Sequence, residues 1–165
     1  MIEKIVSGGQ TGVDQAGLMV ASELGIEIGG WCPAGGLDEN GICVLDKYSE
    51  LKQTTTFDPA ERTILNIRDS DGTLIIVPDL PLPEQIKDGT WLTIKDAKRQ
   101  NKPLLIISVA DKSDINQKIL EWININNIKT LNIAGPRESN SPGINHAASA
   151  LFREVFIMLC PRLAF

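Results

Sequence analysis

The chain has 165 residues, of which 42% are apolar and 22% charged, and its formal net charge is −5. These values suit one folded domain, residues 1–165, and exclude wholesale disorder, while the acidic balance disfavours a nucleic-acid-binding protein with a broad basic face. Neither a leader segment nor an apolar run long enough to span a bilayer is visible, so we expect a soluble cytoplasmic protein with no membrane partner.

Along the chain, apolar runs alternate with amphipathic helical patterns. The predicted strands are Ile2–Val6, Ile26–Gly30, Thr73–Val77, Leu104–Val109 and Thr130–Ala134. The predicted helices are Asp14–Leu24, Pro59 to about Ser70, Thr90–Gln100, Asp114–Asn126 and Asn145–Leu159. This alternation is typical of an α/β domain, so we expect a mainly parallel sheet of about five or more strands that is covered on both faces.

Local signals mark several of the element boundaries. We expect Gly25 to stop the first helix, Asp58 to cap the second, which begins at Pro59, and Ser113 to cap the fourth. The segment Trp31–Phe57 interrupts the alternation, and within it Ile42–Tyr48 has the pattern of a short edge strand. A loop of this length in a compact domain is often functional.

The residues 7–14, SGGQTGVD, join the first strand to the first helix and form the most informative motif. Its glycines would let a phosphate approach backbone N–H groups at a helix N-terminus. The residues that would contact this anion are Gly8, Gly9, Gln10, Thr11 and Gly12. Because the spacing matches neither G-x-G-x-x-G nor a P-loop, a tight turn without a ligand stays open. We expect Asp14 to be a helix-start residue beside the loop, and the alternative is that it is an acid catalyst.

Ligands of open α/β sheets bind beyond the carboxyl ends of the strands, and two further loops predicted at that edge carry polar groups. Gly89-Thr90 would place a hydroxyl and free N–H groups at a second helix N-terminus, or would be an ordinary cap. Gly135-Pro136-Arg137 carries the best single cation for a phosphate. The alternative is that Arg137 is solvated or paired with Glu138.

The remaining candidate side chains have a structural interpretation beside the functional one. Trp31 would stack on a planar ring of the ligand or be partly buried. Cys32 has no His or Lys beside it in sequence that would activate its thiol as a nucleophile. The three cysteines form no C-x-x-C pair and His146 is the one histidine, so we expect no metal site built from side chains.

Five stretches of the sequence carry a family resemblance that covers nearly the full chain in the right order. They are Ile5–Asp14, Gly29–Pro33, Glu61–Thr63, Arg68–Ile75 and Asn132–Ser139. These stretches resemble the "putative molybdenum carrier" family. The resemblance implies a Rossmann-like three-layer α/β/α fold related to lysine-decarboxylase-like proteins and phosphoribohydrolases. It also implies binding of molybdenum cofactor, a pterin with a phosphate tail.

The same resemblance implies which residues form the pocket. They are Gly8, Gly9, Gln10, Thr11 and Gly12 as the anion loop, Gly89 and Thr90 as a second turn, and Gly135, Pro136 and Arg137 opposite. The related hydrolases carry P-G-G-x-G-T-x-x-E, whose Glu is catalytic. In the matching stretch, residues 85–93, the glycine pair is absent, Thr93 stands where the Glu would be, and Lys87 would add positive charge at a phosphate. Since hydrolysis of an N-glycosidic bond needs a nearby acid or base, we expect binding without catalysis.

Three functions are therefore considered, and each has a phosphorylated small molecule as its partner. The favoured one is a binding protein for a phosphorylated pterin or nucleotide, held by Gln10, Thr11, Thr90 and Arg137. The second is a nucleotide N-glycosidic hydrolase that takes its acid from Asp14 or Glu138. The third is a nucleotide sensor that acts as a homo-oligomer, with the helix Ala147–Leu159 and the apolar tail Leu163–Phe165 at a subunit contact or in the core.

Overall fold

The computed structural model describes residues 1–160, without the side chains of Lys87 and Asp88. The strands are β1 Lys4–Ser7, β2 Glu27–Gly29, β3 Trp31–Cys32, β4 Lys52–Gln53, β5 Gly72–Val77, β6 Leu104–Ser108 and β7 Thr130–Ala134. The α-helices are α1 Val13–Glu23, α2 Pro59–Arg68, α3 Lys87–Arg99, α4 Ile115–Ile125 and α5 Ile144–Leu159. The tail Leu163–Phe165 lies outside the described residues, so its role in a subunit contact stays a prediction.

Five strands form one sheet in the order β2-β1-β7-β5-β6, and every neighbouring pair is parallel. The predicted α/β fold with a parallel sheet is therefore confirmed. The short strands β3 and β4 pair with each other in a second, two-stranded parallel sheet, with Trp31 opposite Lys52. No helix in residues 1–160 is both long and apolar enough to cross a membrane.

The apolar pattern explains why helices cover both faces of the sheet. All six residues of β5, GTLIIV, are buried, as expected for a central parallel strand. On one face α1 packs against α5, and α5 contacts α4, with Phe152 stacked on Phe156 at a ring separation of 5.2 Å. On the other face α2 packs against α3, and Ile94 of α3 joins Ile75 and Val77 in a smaller apolar cluster.

The strand order reverses beside β7, and this positions the candidate site. From β1 the chain adds β2 on one side, then crosses to build β5 and β6, and finally returns to place β7 between β1 and β5. The carboxyl ends of β1, β7 and β5 therefore lie next to one another. Crevices at such reversal points are the usual ligand sites of open α/β sheets.

Several predicted boundaries are confirmed and three details are wrong. Asp58 caps α2 by accepting a hydrogen bond from Ala60 N at 2.9 Å, and Gly25 follows α1 with a φ of +69°. The fourth helix is capped by Asp114 instead of Ser113, because the Asp114 carboxylate accepts from Gln117 N at 3.0 Å. The third helix begins at Lys87, so Gly89 and Thr90 lie in its first turn and do not cap it.

The strand predicted over Ile42–Tyr48 is also wrong. Val44–Asp46 forms a 3₁₀ turn, and Leu37 and Cys43 form only an isolated antiparallel bridge. The apolar residues of this segment resemble an alternating strand in sequence. In the fold, Val44 and Tyr48 are buried at helical spacing, whereas Ile42 is 62% exposed.

Candidate functional site

A cavity of about 300 Å³ lies at the carboxyl ends of β1 and β7, under α2 and the first turns of α3. The polar residues of its lining are Gln10, Asp14, Arg62, Thr63, Asn66, Gln85, Thr90, Thr93, Asn132, Arg137 and Asn140. Of the residues predicted from the sequence, those that line the cavity are Gly8, Gln10, Asp14, Gly89, Thr90, Gly135, Pro136 and Arg137. The predicted reversal-point crevice and the predicted loops thus meet in one place.

The floor of the cavity holds a buried ion pair. Arg62 Nη1 of α2 lies 3.0 Å from Asp14 Oδ2 of α1, and the Asp14 oxygen also accepts a hydrogen bond from Gln10 N at 3.2 Å. Burial raises the pKa of the Asp14 carboxyl, and the guanidinium of Arg62 opposes that effect. The Arg62 Nε atom is buried and has no hydrogen-bond partner among the described residues.

Gly8 allows this ion pair to sit against the backbone of the loop after β1. A Cβ atom at position 8 would lie 1.8 Å from Arg62 Nη1 and 3.0 Å from Asp14 Oδ2. The guanidinium therefore occupies the space that any other residue would fill. The sequence motif predicts that Gly8 makes room for a ligand, and in the structure Gly8 lines the cavity and also makes room for Arg62.

Gly12 and Gly135 are required by contacts between chain segments. A Cβ at Gly12, whose φ is +81°, would lie 2.3 Å from Pro136 O, and a Cβ at Gly135 would lie 2.4 Å from Ile76 O. The β1–α1 and β7–α5 loops therefore approach each other closely, and Val13 N donates to Pro136 O at 3.3 Å. These two glycines bring the walls of the cavity together.

The polar side chains of the glycine loop are engaged within the protein. Gln10 Oε1 accepts hydrogen bonds from Thr11 N at 3.0 Å and from Glu39 N at 2.9 Å. Thr11 Oγ1 donates to the Glu39 carboxylate and accepts from Glu138 N at 3.2 Å. Thr11, Gly9 and Gly12 are not part of the cavity lining, and Gln10 is.

Arg137 follows β7 and lines the cavity as its second cation. Within the described part of the chain its guanidinium makes no hydrogen bond, and Glu138 is not its partner. The Glu138 carboxylate instead caps α5, accepting from Gly143 N at 2.6 Å and Asn145 N at 3.0 Å. The charge of Arg137 does act on the Glu39 carboxylate. Burial alone would raise the pKa of Glu39, but hydrogen bonds from Ser139 and Thr11, together with the charge of Arg137, lower it.

The first turns of α3 form the wall opposite the β1–α1 loop. Thr90 and Thr93 are buried side chains that line the cavity, and Thr93 Oγ1 donates to Gly89 O at 3.1 Å. A Cβ at Gly89 would meet no atom within 4 Å, so there is open space beside this turn. The prediction that Lys87 adds positive charge at a phosphate concerns a side chain outside the described part of the structure, so it stays a prediction.

Trp31 lies outside the cavity lining and is held by other contacts. Its backbone N–H donates to Asn66 Oδ1 at 2.7 Å and its carbonyl accepts from Asn66 Nδ2 at 3.0 Å. Its indole Nε1 donates to Asp69 Oδ2 at 2.8 Å, and Lys52 Nζ lies 5.6 Å from the ring centroid. Cys32 beside it is fully buried, and burial raises the pKa of its thiol, which does not suit a nucleophile.

The sequence interpretation missed several polar residues that line the cavity. Arg62, Thr63 and Asn66 come from α2, and Asn132 comes from the middle of β7, where its Nδ2 donates to Thr73 Oγ1 at 3.2 Å. Arg62 and Thr63 belong to one of the family-like motifs, but the sequence alone does not indicate that they line the cavity. Among residues 1–160, no group of three or more His, Cys, Asp or Glu side chains is placed to hold a metal ion.

Comparison with known proteins relates this chain to a family. The family model described as "Circularly permutated YpsA SLOG family" matches residues 5–156. A crystal structure from Syntrophus aciditrophicus SB, of a protein named "putative molybdenum carrier protein", is 41% identical in sequence. The match covers 94% of each chain with a TM-score of 0.85. A search of curated proteins gave no significant match.

Proposed function

We propose that this chain, which belongs to the circularly permutated YpsA SLOG family, binds a phosphorylated small molecule in the cavity between β1, β7 and α3. The observation that carries the proposal is Arg137, a cation that lines the cavity without forming a hydrogen bond to the described residues. A guanidinium in a partly enclosed site is well suited to a forked contact with a phosphate.

The charges of the lining favour an anion. Asp14 is the one carboxylate among the described side chains of the lining, and Arg62 neutralises it. Arg137 therefore leaves the lining with a net positive charge, although the whole chain is acidic. The hydroxyl of Thr90 adds a hydrogen-bond donor to the same concavity.

The cavity volume limits the size of the ligand. About 300 Å³ lies at the lower end of the range for small-molecule pockets, roughly 300–1,000 Å³. This favours a ligand with one ring system and one phosphate, such as a nucleoside monophosphate or a phosphorylated pterin. The half-buried side chain of Leu92 in the lining would contact the ring.

Molybdenum cofactor is one ligand of this class, and the name of the crystallised relative supports it. The residues fit its phosphate tail through Arg137 and Thr90, and the described residues offer no side-chain cluster for the metal itself. Molybdenum would therefore arrive already held by the pterin. The chain's own residues would bind the phosphate and shield the ring from water.

A hydrolase is the second candidate, and one observation favours it. Asp14 lies in the cavity and burial raises its pKa, as is common for a general acid. Against it, Asp14 is bound to Arg62 and Thr93 replaces the Glu of the related hydrolases. Turnover of AMP by the wild type would establish the hydrolase, and loss of turnover in Asp14→Asn with AMP binding retained would assign the acid to Asp14.

A thermal-shift screen tests the proposed binding. AMP, GMP and molybdopterin are compared with adenosine and guanosine at equal concentrations. A ligand at one hundred times its Kd stabilises the folded state by about 2.7 kcal/mol, so at equal concentrations the phosphorylated compounds should raise Tm more than the matching nucleosides do. If no phosphorylated compound raises Tm, the proposal is wrong.

A further inference from the structure

Residues 36–44 form a small hairpin beside the site, held by backbone hydrogen bonds from Val44 N to Gly36 O at 2.7 Å and from Asp38 N to Ile42 O at 2.9 Å. The side chains of Leu37 and Ile42 are 57% and 62% exposed. The tip of the hairpin is therefore attached to the domain by polar contacts more than by apolar burial.

Glu39 at the tip joins the two loops that form the mouth of the cavity. Its carboxylate accepts hydrogen bonds from Thr11 Oγ1 in the β1–α1 loop and from Ser139 N, at 3.1 Å, and Ser139 Oγ in the β7–α5 loop. Its own N–H donates to Gln10 Oε1 at 2.9 Å. One carboxylate thus accepts three hydrogen bonds from segments more than a hundred residues apart in sequence.

Ser139 lies two residues after Arg137, so the contact that holds Ser139 also restrains Arg137. Hydrogen bonds to an ionised carboxylate are about twice as strong as those between neutral groups, which makes Glu39 an effective clamp. Gln15 supports the same arrangement, because its Nε2 donates both to Gly9 O and to Asp38 Oδ2, each at 3.0 Å. The hairpin, the β1–α1 loop and the β7–α5 loop, which contains Arg137 and is called the Arg137 loop, are therefore one connected unit.

We infer that Glu39 is a positioning residue that clamps the Arg137 loop to the β1–α1 loop and so holds Arg137 ready for the phosphate of a ligand. The inference rests on the proposed function for its ligand and on the clamp contacts for its geometry. Glu39 itself does not line the cavity, so it acts through Arg137. Without the clamp, the loop that contains Arg137 keeps the hydrogen bonds from Val13 N to Pro136 O and from Glu138 N to Thr11 Oγ1 but loses those made by Ser139. Arg137 is then less well ordered before the ligand binds, and the affinity for the phosphate falls.

Hydrogen exchange tests the clamp without any ligand. In Glu39→Ala we expect faster exchange over residues 136–141, with α5 unchanged beyond its first turn. Glu39→Gln keeps an acceptor for Thr11 and Ser139 and should restore slow exchange in most of this segment. Asn40→Ala is the matched control, because Asn40 is exposed and offers only its backbone N–H to the turn. Equal exchange over residues 136–141 in Glu39→Ala and the wild type would overturn the inference.

Binding of AMP and adenosine then separates positioning from general loosening of the site. In Glu39→Ala we expect an AMP affinity about tenfold lower and an adenosine affinity within about twofold of the wild type, because Arg137 contacts the phosphate alone. An equal loss for both probes, or tighter binding of AMP, contradicts the positioning role. If the wild type binds neither AMP nor the other phosphorylated compounds of the screen, the proposed function fails, while the exchange measurement still decides whether the clamp exists.

Discussion

Arg62 Nη1 lies 3.0 Å from Asp14 Oδ2, and their side chains are only 13% and 7% exposed. The pair connects α2, on one face of the sheet, to α1, on the other, directly beneath the loop after β1. Because it neutralises the one carboxylate in the described lining, it leaves the charge of Arg137 available for a ligand. The stability of the site and its preference for anions therefore depend on the same contact.

Gly8→Ala should weaken this ion pair. The added Cβ would lie 1.8 Å from Arg62 Nη1, so the guanidinium has to leave its partner. We expect a loss of about 2 kcal/mol in the free energy of unfolding, since separating a buried pair leaves charges without compensation. Urea denaturation measures it. Gly89→Ala is the control, because its Cβ meets no atom within 4 Å and should stabilise α3 by roughly 0.5–1 kcal/mol. A wild-type stability in Gly8→Ala would contradict the prediction.

Asn66→Ala should destabilise the junction between α2 and β3. The buried amide of Asn66 satisfies both the N–H and the carbonyl of Trp31, at 2.7 and 3.0 Å. Its loss leaves two backbone groups without partners, at a cost of about 2 kcal/mol in the free energy of unfolding. Asn124→Ala, on the exposed face of α4, is the comparison and should change stability by less than about 0.5 kcal/mol. Equal midpoints of urea denaturation for the two variants would show that the hydrogen bonds between Asn66 and Trp31 do not stabilise the fold.

Glu61 should make the protein sensitive to acid. Hydrogen bonds from the hydroxyls of Thr56 and Thr55 lower the pKa of Glu61 to about 2, from an ordinary value of 4.5. Because the folded-state pKa is lower than the unfolded one, the stabilisation is present above pH 4.5 and is lost as the pH falls from 4.5 toward 2. Denaturation midpoints measured across this range should fall less steeply in Glu61→Gln than in the wild type. Glu50→Gln, which removes another exposed carboxylate, should keep the wild-type slope, and equal slopes in all three proteins would disprove the role of Glu61.

The fold was predictable because local patterns decide most of its elements. The strand predicted over Thr130–Ala134 matches β7 without error, since a short apolar run between turn residues has few alternatives. The start of α3 was misplaced because Gly89 resembles a helix break in sequence, although the helix already begins at Lys87. The 3₁₀ turn at Val44 was missed because alternating apolar residues suit a strand and a helical turn equally in so short a segment.

The site was predictable only where glycine motifs mark it. The loops around Gly8, Gly89 and Gly135 were identified because glycine clusters after strands are visible in the sequence. Arg62 and Glu39 were not, since their roles come from contacts with residues 48 and 28 positions away in the chain, Asp14 and Thr11. No local pattern distinguishes an arginine on α2 that folds inward from one that is solvated.

Titration calorimetry of AMP against the wild type, Arg137→Ala and Arg153→Ala tests the central claim most directly. Arg153 is the matched control, because it lies on α5, is exposed, and pairs with Glu23 away from the cavity. We expect AMP to bind the wild type and Arg153→Ala with affinities within about twofold, and Arg137→Ala at least about tenfold more weakly, which is 1.4 kcal/mol. AMP binding of equal strength in the wild type and Arg137→Ala would show that the cavity does not hold a phosphate through Arg137.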